Sequence, residues 1–245
     1  MIRRVVTVAI WLAAWSAGVA GLYWAFLNTP ESTTASLGLS AFLALTLLLA
    51  TAVAVNTSVL LAVGEPLQPS LRGALRRVHW FVAAALPVAL IAWLLLRADA
   101  WVATRSGEIS AWFIASLGWA DASPFFLAQR YVSLWLRWVA VPIAGLAVLT
   151  ACLRHGAAVA VSRRWMRAAW HWRTLAIATT AFVLLIALPW RAAAWRPTGL
   201  PPTWVEPTLA GLRLLLVTIA IAVGAAIILV TAARAADDSD ATVQN

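Results

Sequence analysis

Lysine is absent from this sequence: all 18 basic residues are arginine. Acidic side chains are scarce, nine in all, and charge of both signs makes up 11% of the chain, against about 25% in a soluble domain. A soluble fold of 245 residues would have too little polar surface to stay dispersed, so this scarcity excludes one. A single cysteine, Cys152, excludes an internal disulfide. It reads either as a small residue in packing or lipid, or as a palmitoylation site. No HExxH, GxSxG, CxxC, P-loop or GxGxxG pattern occurs. No Ser or Thr in an apolar run has a His or Asp within the runs close by in sequence. Neither an enzyme nor a cofactor is expected.

What is present is apolar: 63% of the residues are hydrophobic. A spanning helix needs about 20 apolar residues. Runs of that length cover roughly 5–27, 37–63, 78–97, 124–153, 172–190 and 208–233. The expected fold is therefore all-α, a polytopic transmembrane helix bundle of about six spans. The first run begins behind Arg3 and Arg4 like a signal peptide. It continues well past the usual h-region of about 7–15 residues and carries Trp and Tyr, so it reads as a retained span. No Asp or Glu lies in the middle of any run, which argues against a carboxylate proton relay. The closing AADDSDATVQN reads as an acidic, disordered cytoplasmic tail over 235–245, after one transmembrane domain over 1–234.

Arginine placement sets the orientation. Arg3, Arg4, Arg72, Arg76, Arg77, Arg154, Arg163, Arg164, Arg167, Arg173 and Arg234 fall on one side. The other side has Arg97, Arg105, Arg130, Arg191 and Arg196, diluted by Asp99, Glu108, Asp121 and Glu206. The positive-inside rule then puts both termini in the cytoplasm of a bacterial cell, with the chain in its inner membrane. The 16 Trp residues fit aromatic belts at the two interfaces. In the 98–123 connection, Ile109, Trp112, Phe113 and Leu117 share one helical face, which predicts an interfacial helix; the alternative is an ordered loop on the bundle. Ser123-Pro124 reads as an N-cap followed by proline at the first helical position.

Two basic stretches stand out, LRGALRRVHW at 71–80 and RRWMRAAWHW at 163–172. A shift of 92 (171 − 79) superposes Gly64 on Gly156, Ser70 on Ser162, Arg72 on Arg164, and His79-Trp80 on His171-Trp172. This predicts a pseudo-repeat of spans two–three and four–five, in parallel orientation. Each stretch reads as a short amphipathic helix at the membrane surface. Ser70 and Ser162 are the expected caps. The basic face, Arg72, Arg76, Arg77 and His79 with Arg163, Arg164, Arg167 and His171, is the candidate contact for an anionic lipid headgroup or a membrane-protein partner. Topology alone would also explain these arginines. Nucleic acid is not an expected partner, because the arginines flank spans. His79, His155 and His171 have no Cys or carboxylate at ligand spacing, so no metal is expected.

Inside the spans, Arg137 is the exception to the lack of charge, with Arg213 less deep. Both read as snorkelling to headgroups; the alternative puts Arg137 in a polar cavity that binds an anionic headgroup. Asn56, Thr57 and Ser58 read as interhelical hydrogen-bonding residues, or with Arg137 as a polar site. Pro87 and Pro142 predict kinks. Ala14, Ala17, Gly18 and Gly21, and Ala220 and Gly224, predict close helix packing.

Gly64 leading through Ser70 to GALRRVHW, with its echo before span five, resembles the membrane domain fused to some glycerophosphodiester phosphodiesterases and related six-span families. The likeness covers most of spans two to five, and RWMRAA departs from GALRR in the second copy. It concerns the membrane domain alone and implies no catalytic residue. The expectation is a non-enzymatic scaffold or accessory subunit with an Arg-rich cytoplasmic face; the alternative is a transporter or permease for a small or lipidic substrate.

Overall fold

The computed structural model describes residues 1–30, 33–156, 170–194 and 205–241. Among these, regular structure is helical throughout: α1 Ile2–Leu27, α2 Thr34–Val63, α3 Leu67–Arg76, α4 Val78–Thr104, α5 Ser106–Leu117, α6 Ser123–Trp135, α7 Val141–His155, α8 Trp172–Phe182, α9 Leu188–Ala194 and α10 Val205–Ala241. π-helical turns at Leu136–Ala140 and Val183–Ala187 join α6 to α7 and α8 to α9. Six helical segments, Ile2–Leu27, Thr34–Val63, Val78–Thr104, Ser123–Arg154, Trp172–Ala192 and Pro207–Ala235, are long and apolar enough to cross a membrane. Lipid offers no hydrogen bonds to a bare backbone, so such segments must be helical. Hydroxyls within them turn back on their own helix: Thr46, Thr51, Thr150 and Thr231 each donate to the carbonyl four residues earlier.

Local chemistry sets the helix ends. At the start of α2, Thr33 and Ser36 form a reciprocal capping box: the Ser36 N–H donates to Thr33 Oγ1 at 3.2 Å and the Thr33 N–H to Ser36 Oγ at 3.0 Å. At its end Gly64 adopts φ 110°, with its N–H on the Leu61 carbonyl and the Glu65 N–H on that of Leu60, a Schellman termination that needs a residue without Cβ. Ser70 is not the cap of α3. The helix starts three residues earlier, at Leu67 after Pro66, and Ser70 is buried inside it. Pro69 fits there because first-turn N–H groups have no intrahelical acceptor. Before α6, Ser123 is the first helical residue, and Asp121 does the capping. Its carboxylate accepts from the Ser123 N–H at 2.9 Å and from the Ser123 hydroxyl.

Both π turns end two residues before a proline, Ala140 before Pro142 and Ala187 before Pro189. A proline ring clashes with the carbonyl four residues back, and a widened turn relieves the clash. Pro87 is instead held inside α4. Beside it α4 approaches α7 closely: a Cβ on Gly145 would lie 2.5 Å from Val88 Cγ2. Gly224 of α10 packs in the same way against Leu185 and Ile186 in the second π turn. Gly18 and Gly21 have nothing within 4 Å of a built Cβ, so the α1 stripe is not used within the chain.

The core is concentrated at one end. It joins Val8 of α1, Val59 to Ala62 of α2, Ala84 of α4, Leu149 and Leu153 of α7, and Ala226, Leu229, Val230 and Ala233 of α10. A second cluster, Val139, Ile143, Ala147, Ala178, Ala181 and Ile228, continues it between α7, α8 and α10. The opposite halves of the same helices expose Leu45, Leu94, Leu96, Leu214 and Leu216. In lipid such exposure is not costly, and packing of small residues replaces the hydrophobic effect as the force holding helices together. The α1–α2 pair has a specific tie as well. Trp11 and Trp15 donate their indole N–H groups to the Ala54 and Ala50 carbonyls of α2, at 3.3 and 3.0 Å, so these two rings are packing residues rather than members of a belt.

The 98–123 connection is largely helical. α4 runs on to Thr104, and α5 follows with no buried residue, ending at Gly118 with φ 65°. Phe113 of α5 lies on Trp119 and Phe125, with ring centroids at 4.8 and 4.7 Å. α10 extends through Ala241 into the acidic segment.

Candidate functional site

At the packed end, α3 lies against α2 through Ser70 and Ala74, both fully buried. Asn56 fixes it there. Its side-chain amide donates to the carbonyl of Ala74 in the last turn of α3, at 3.4 Å, and to that of Arg77 at the junction of α3 and α4, at 3.2 Å. Thr57 and Ser58 are equally buried, and Ser58 donates to the Ala54 carbonyl. Asn56 therefore sits where α2 and α3 pack, with Thr57 and Ser58 buried beside it in α2.

The outward side of α3 is basic. Arg72 and Arg76 are exposed, as is His79 at the start of α4. Among the described residues the ion pairs are Arg105–Glu108 and Arg137–Asp99, so neither Arg72 nor Arg76 has a carboxylate partner there. Arg77 differs from its neighbours. Its guanidinium donates to the Leu153 carbonyl at the end of α7. Arg4 reaches in the same way to the Ala62 carbonyl at the end of α2, 3.5 Å away, and lies over Gly64. A cation suits both positions, because the last carbonyls of a helix carry partial negative charge. His171 caps α8, its Nδ1 accepting from the Arg173 N–H at 3.4 Å, and Arg173 stands over the Trp172 ring. Arg163, Arg164 and Arg167 lie outside the described residues, as does the Ser162 cap. Cys152 is buried, which removes it from acylation. Among the described residues no three His, Cys, Asp or Glu side chains gather as metal ligands.

A second polar cluster lies towards the other end. Arg137, in the first π turn, pairs with Asp99 of α4, Nη2 to Oδ2 at 3.2 Å. Gln129 donates to Asp99 Oδ1 at 2.6 Å and Ser133 to Oδ2 at 2.7 Å. Arg137 thus meets a carboxylate rather than snorkelling alone. The structure does not bring it to Asn56, which ties α2 to α3 instead, or to Thr57 and Ser58, which are buried beside Asn56 in α2. Asp99, Gln129 and Ser133 are absent from the sequence-derived candidates. The signal for two of them was available: residues 129, 133 and 137 repeat every fourth position and so share a helix face. Asp99 escaped because it read as part of the connection beyond span three rather than of the span's own helix.

Between α1 and α2 an open groove of about 440 Å³ is lined by Leu12, Trp15, Val19, Tyr23, Leu47 and Val55 among others, and is almost wholly apolar. It gives no polar route across the bundle. No family model, no curated protein and no solved structure matches the chain.

Proposed function

We propose that this protein is a non-enzymatic component of a bacterial inner membrane, a scaffold or accessory subunit whose Arg-rich face contacts anionic lipid headgroups or a partner protein. One observation carries the reading: α3 is a rigidly seated helix with one buried face and an outward pair of unpaired arginines, Arg72 and Arg76. Anionic lipid attracts each such arginine by about 1 kcal/mol near the surface. His79, His171, Arg163, Arg164 and Arg167 belong to the same face by sequence. Arg77 contributes by holding α3 and α4 to the end of α7. The positive-inside rule makes this end cytoplasmic, with both termini on that side. α5, which carries Trp112 and is followed by Trp119, then lies at the outer interface.

The pseudo-repeat belongs to this proposal. Gly64 and Gly156, 92 positions apart, both have positive φ, and each ends a long helix where a basic connection begins. The kinship with the phosphodiesterase-linked membrane domain rests on the same stretch. Of the alternative, a permease for a small or lipidic substrate, the apolar lining of the α1–α2 groove weighs against a polar solute and not against a lipidic one.

The test is a variant carrying Arg72→Gln, Arg76→Gln, Arg164→Gln and Arg167→Gln. Purified in native nanodiscs beside the wild type, it is expected to lose anionic lipid or a co-purifying partner, as read by mass spectrometry. Identical retention by both proteins would sink the proposal.

A further inference from the structure

The Asp99–Arg137 cluster is not needed for the cytoplasmic face, and its chemistry is incomplete. Asp99 is well supplied, accepting from Arg137, Gln129 and Ser133. Arg137 is not. Its Nε is buried and has no acceptor, although the Nε–Nη edge of a guanidinium is the one that takes a pair of oxygens. Gln129 holds the Asp99 oxygen that would have completed such a pair. The side chains of Arg137 and Asp99 keep 18% and 27% of their surface open, so a ligand can reach them.

Depth identifies the class of ligand. Asp99 is 21 residues beyond the start of α4 (99 − 78), and Arg137 is 17 residues before Arg154 (154 − 137). At 1.5 Å per residue these are about 32 and 26 Å from the Arg-rich end. The hydrocarbon layer is about 30 Å thick, so the cluster stands at its far boundary, where lipid phosphates lie. Gln129 and Ser133, on the same helix face as Arg137, add neutral donors suited to phosphate oxygens.

We propose that Arg137, with Gln129 and Ser133, forms a binding site for a phosphate group in the leaflet opposite the Arg-rich face, and that Asp99 is a resident competitor for the same guanidinium. Occupancy requires the phosphate to displace Asp99 from the guanidinium, whose Nε is otherwise buried without an acceptor. The site is independent of α3, and arginines 72 and 76 do not enter it.

The experiment uses the full chain in nanodiscs of phosphatidylglycerol and phosphatidylcholine, with bound phosphatidylglycerol counted by native mass spectrometry. Asp99→Asn is expected to raise retention about tenfold, as removal of a competitor worth ~1.4 kcal/mol would. Adding Arg137→Gln to it should abolish the gain. Retention by Asp99→Asn no higher than that of the wild type for phosphatidylglycerol and for inorganic phosphate alike, or a gain that survives Arg137→Gln, overturns the site. A parallel arm supplies inorganic phosphate to phosphatidylcholine nanodiscs. A gain confined to that arm keeps the site and makes its ligand a soluble phosphate. If Asp99→Asn fails to fold, Gln129→Glu decides: a second carboxylate beside Arg137 should lower retention, and unchanged retention contradicts the proposal. The quadruple arginine variant of α3 should leave the Asp99→Asn gain intact, which separates failure at one site from failure at the other.

Discussion

Arginine does three different jobs in this chain, distinguished by what each guanidinium meets. Arg72 and Arg76 are exposed, Arg4 and Arg77 meet helix-terminal carbonyls, and Arg137 meets a carboxylate. Composition and spacing made Arg4, Arg72, Arg76 and Arg77 visible as membrane-flanking charge and Arg137 as charge within a span. They could not separate the three roles, because each depends on a partner far away in sequence: Leu153 lies 76 residues from Arg77. The cap at Leu153 should count in stability. Arg77→Gln is expected to cost about 1–2 kcal/mol, the range for a partly buried cation at a helix C-terminus. Thermal unfolding in detergent reads it, and a neutral result would reduce the contact to incidental proximity. Asp121 offers a pH test outside the spans. The Ser123 hydroxyl, and after it the Ser123 backbone N–H, hold its carboxyl below the ordinary carboxylate range. A depressed value in the folded state means that this contact stabilises fully above the ordinary carboxylate value and is lost as pH falls through the depressed one. The first turn of α6 should therefore loosen only in acid, and Asp121→Asn should remove that dependence. Amide exchange at Phe125 and Phe126, whose N–H groups bond the Ala122 carbonyl, reports it.

At the scale of elements, the six spans were legible because lipid demands long apolar runs and little else produces them. Their ends were less so. α4 continues seven residues past Arg97 (104 − 97), since Ala98, Ala100, Val102 and Ala103 sustain a helix even among polar neighbours. The prolines announced disturbance in α7 but not its form. Pro142 and Pro189 widen the preceding turn, whereas Pro87 does not. Small residues proved ambiguous in the same way, because a glycine stripe marks a surface where helices can approach, not one where they do. The difference is measurable. Gly145→Ala and Gly224→Ala put a Cβ within 3.0 Å of a neighbouring side chain and should each destabilise by about 1–3 kcal/mol. Gly18→Ala and Gly21→Ala meet nothing and should stabilise by up to about 1 kcal/mol through helix propensity. Equal effects from the two pairs would mean that α4–α7 and α10 do not pack as described.

The molecule as a whole is a bundle closed at its basic end and apolar on its outside. Closure and charge coincide there: the core residues Val59 to Ala62 of α2 lie next to α3, and Asn56 ties the two helices. On the proposed function, a basic helix so held would present its arginines to a charged headgroup layer at little further cost in ordering. The most direct test is hydrogen–deuterium exchange of Leu67–Arg76 in nanodiscs of phosphatidylcholine with and without phosphatidylglycerol. Slower exchange across α3 with the anionic lipid, lost in Arg72→Gln/Arg76→Gln while α7 is unchanged, is the expected result. Exchange across α3 that is the same in both lipids, and the same in the variant, would contradict the assignment of this face to anionic headgroups.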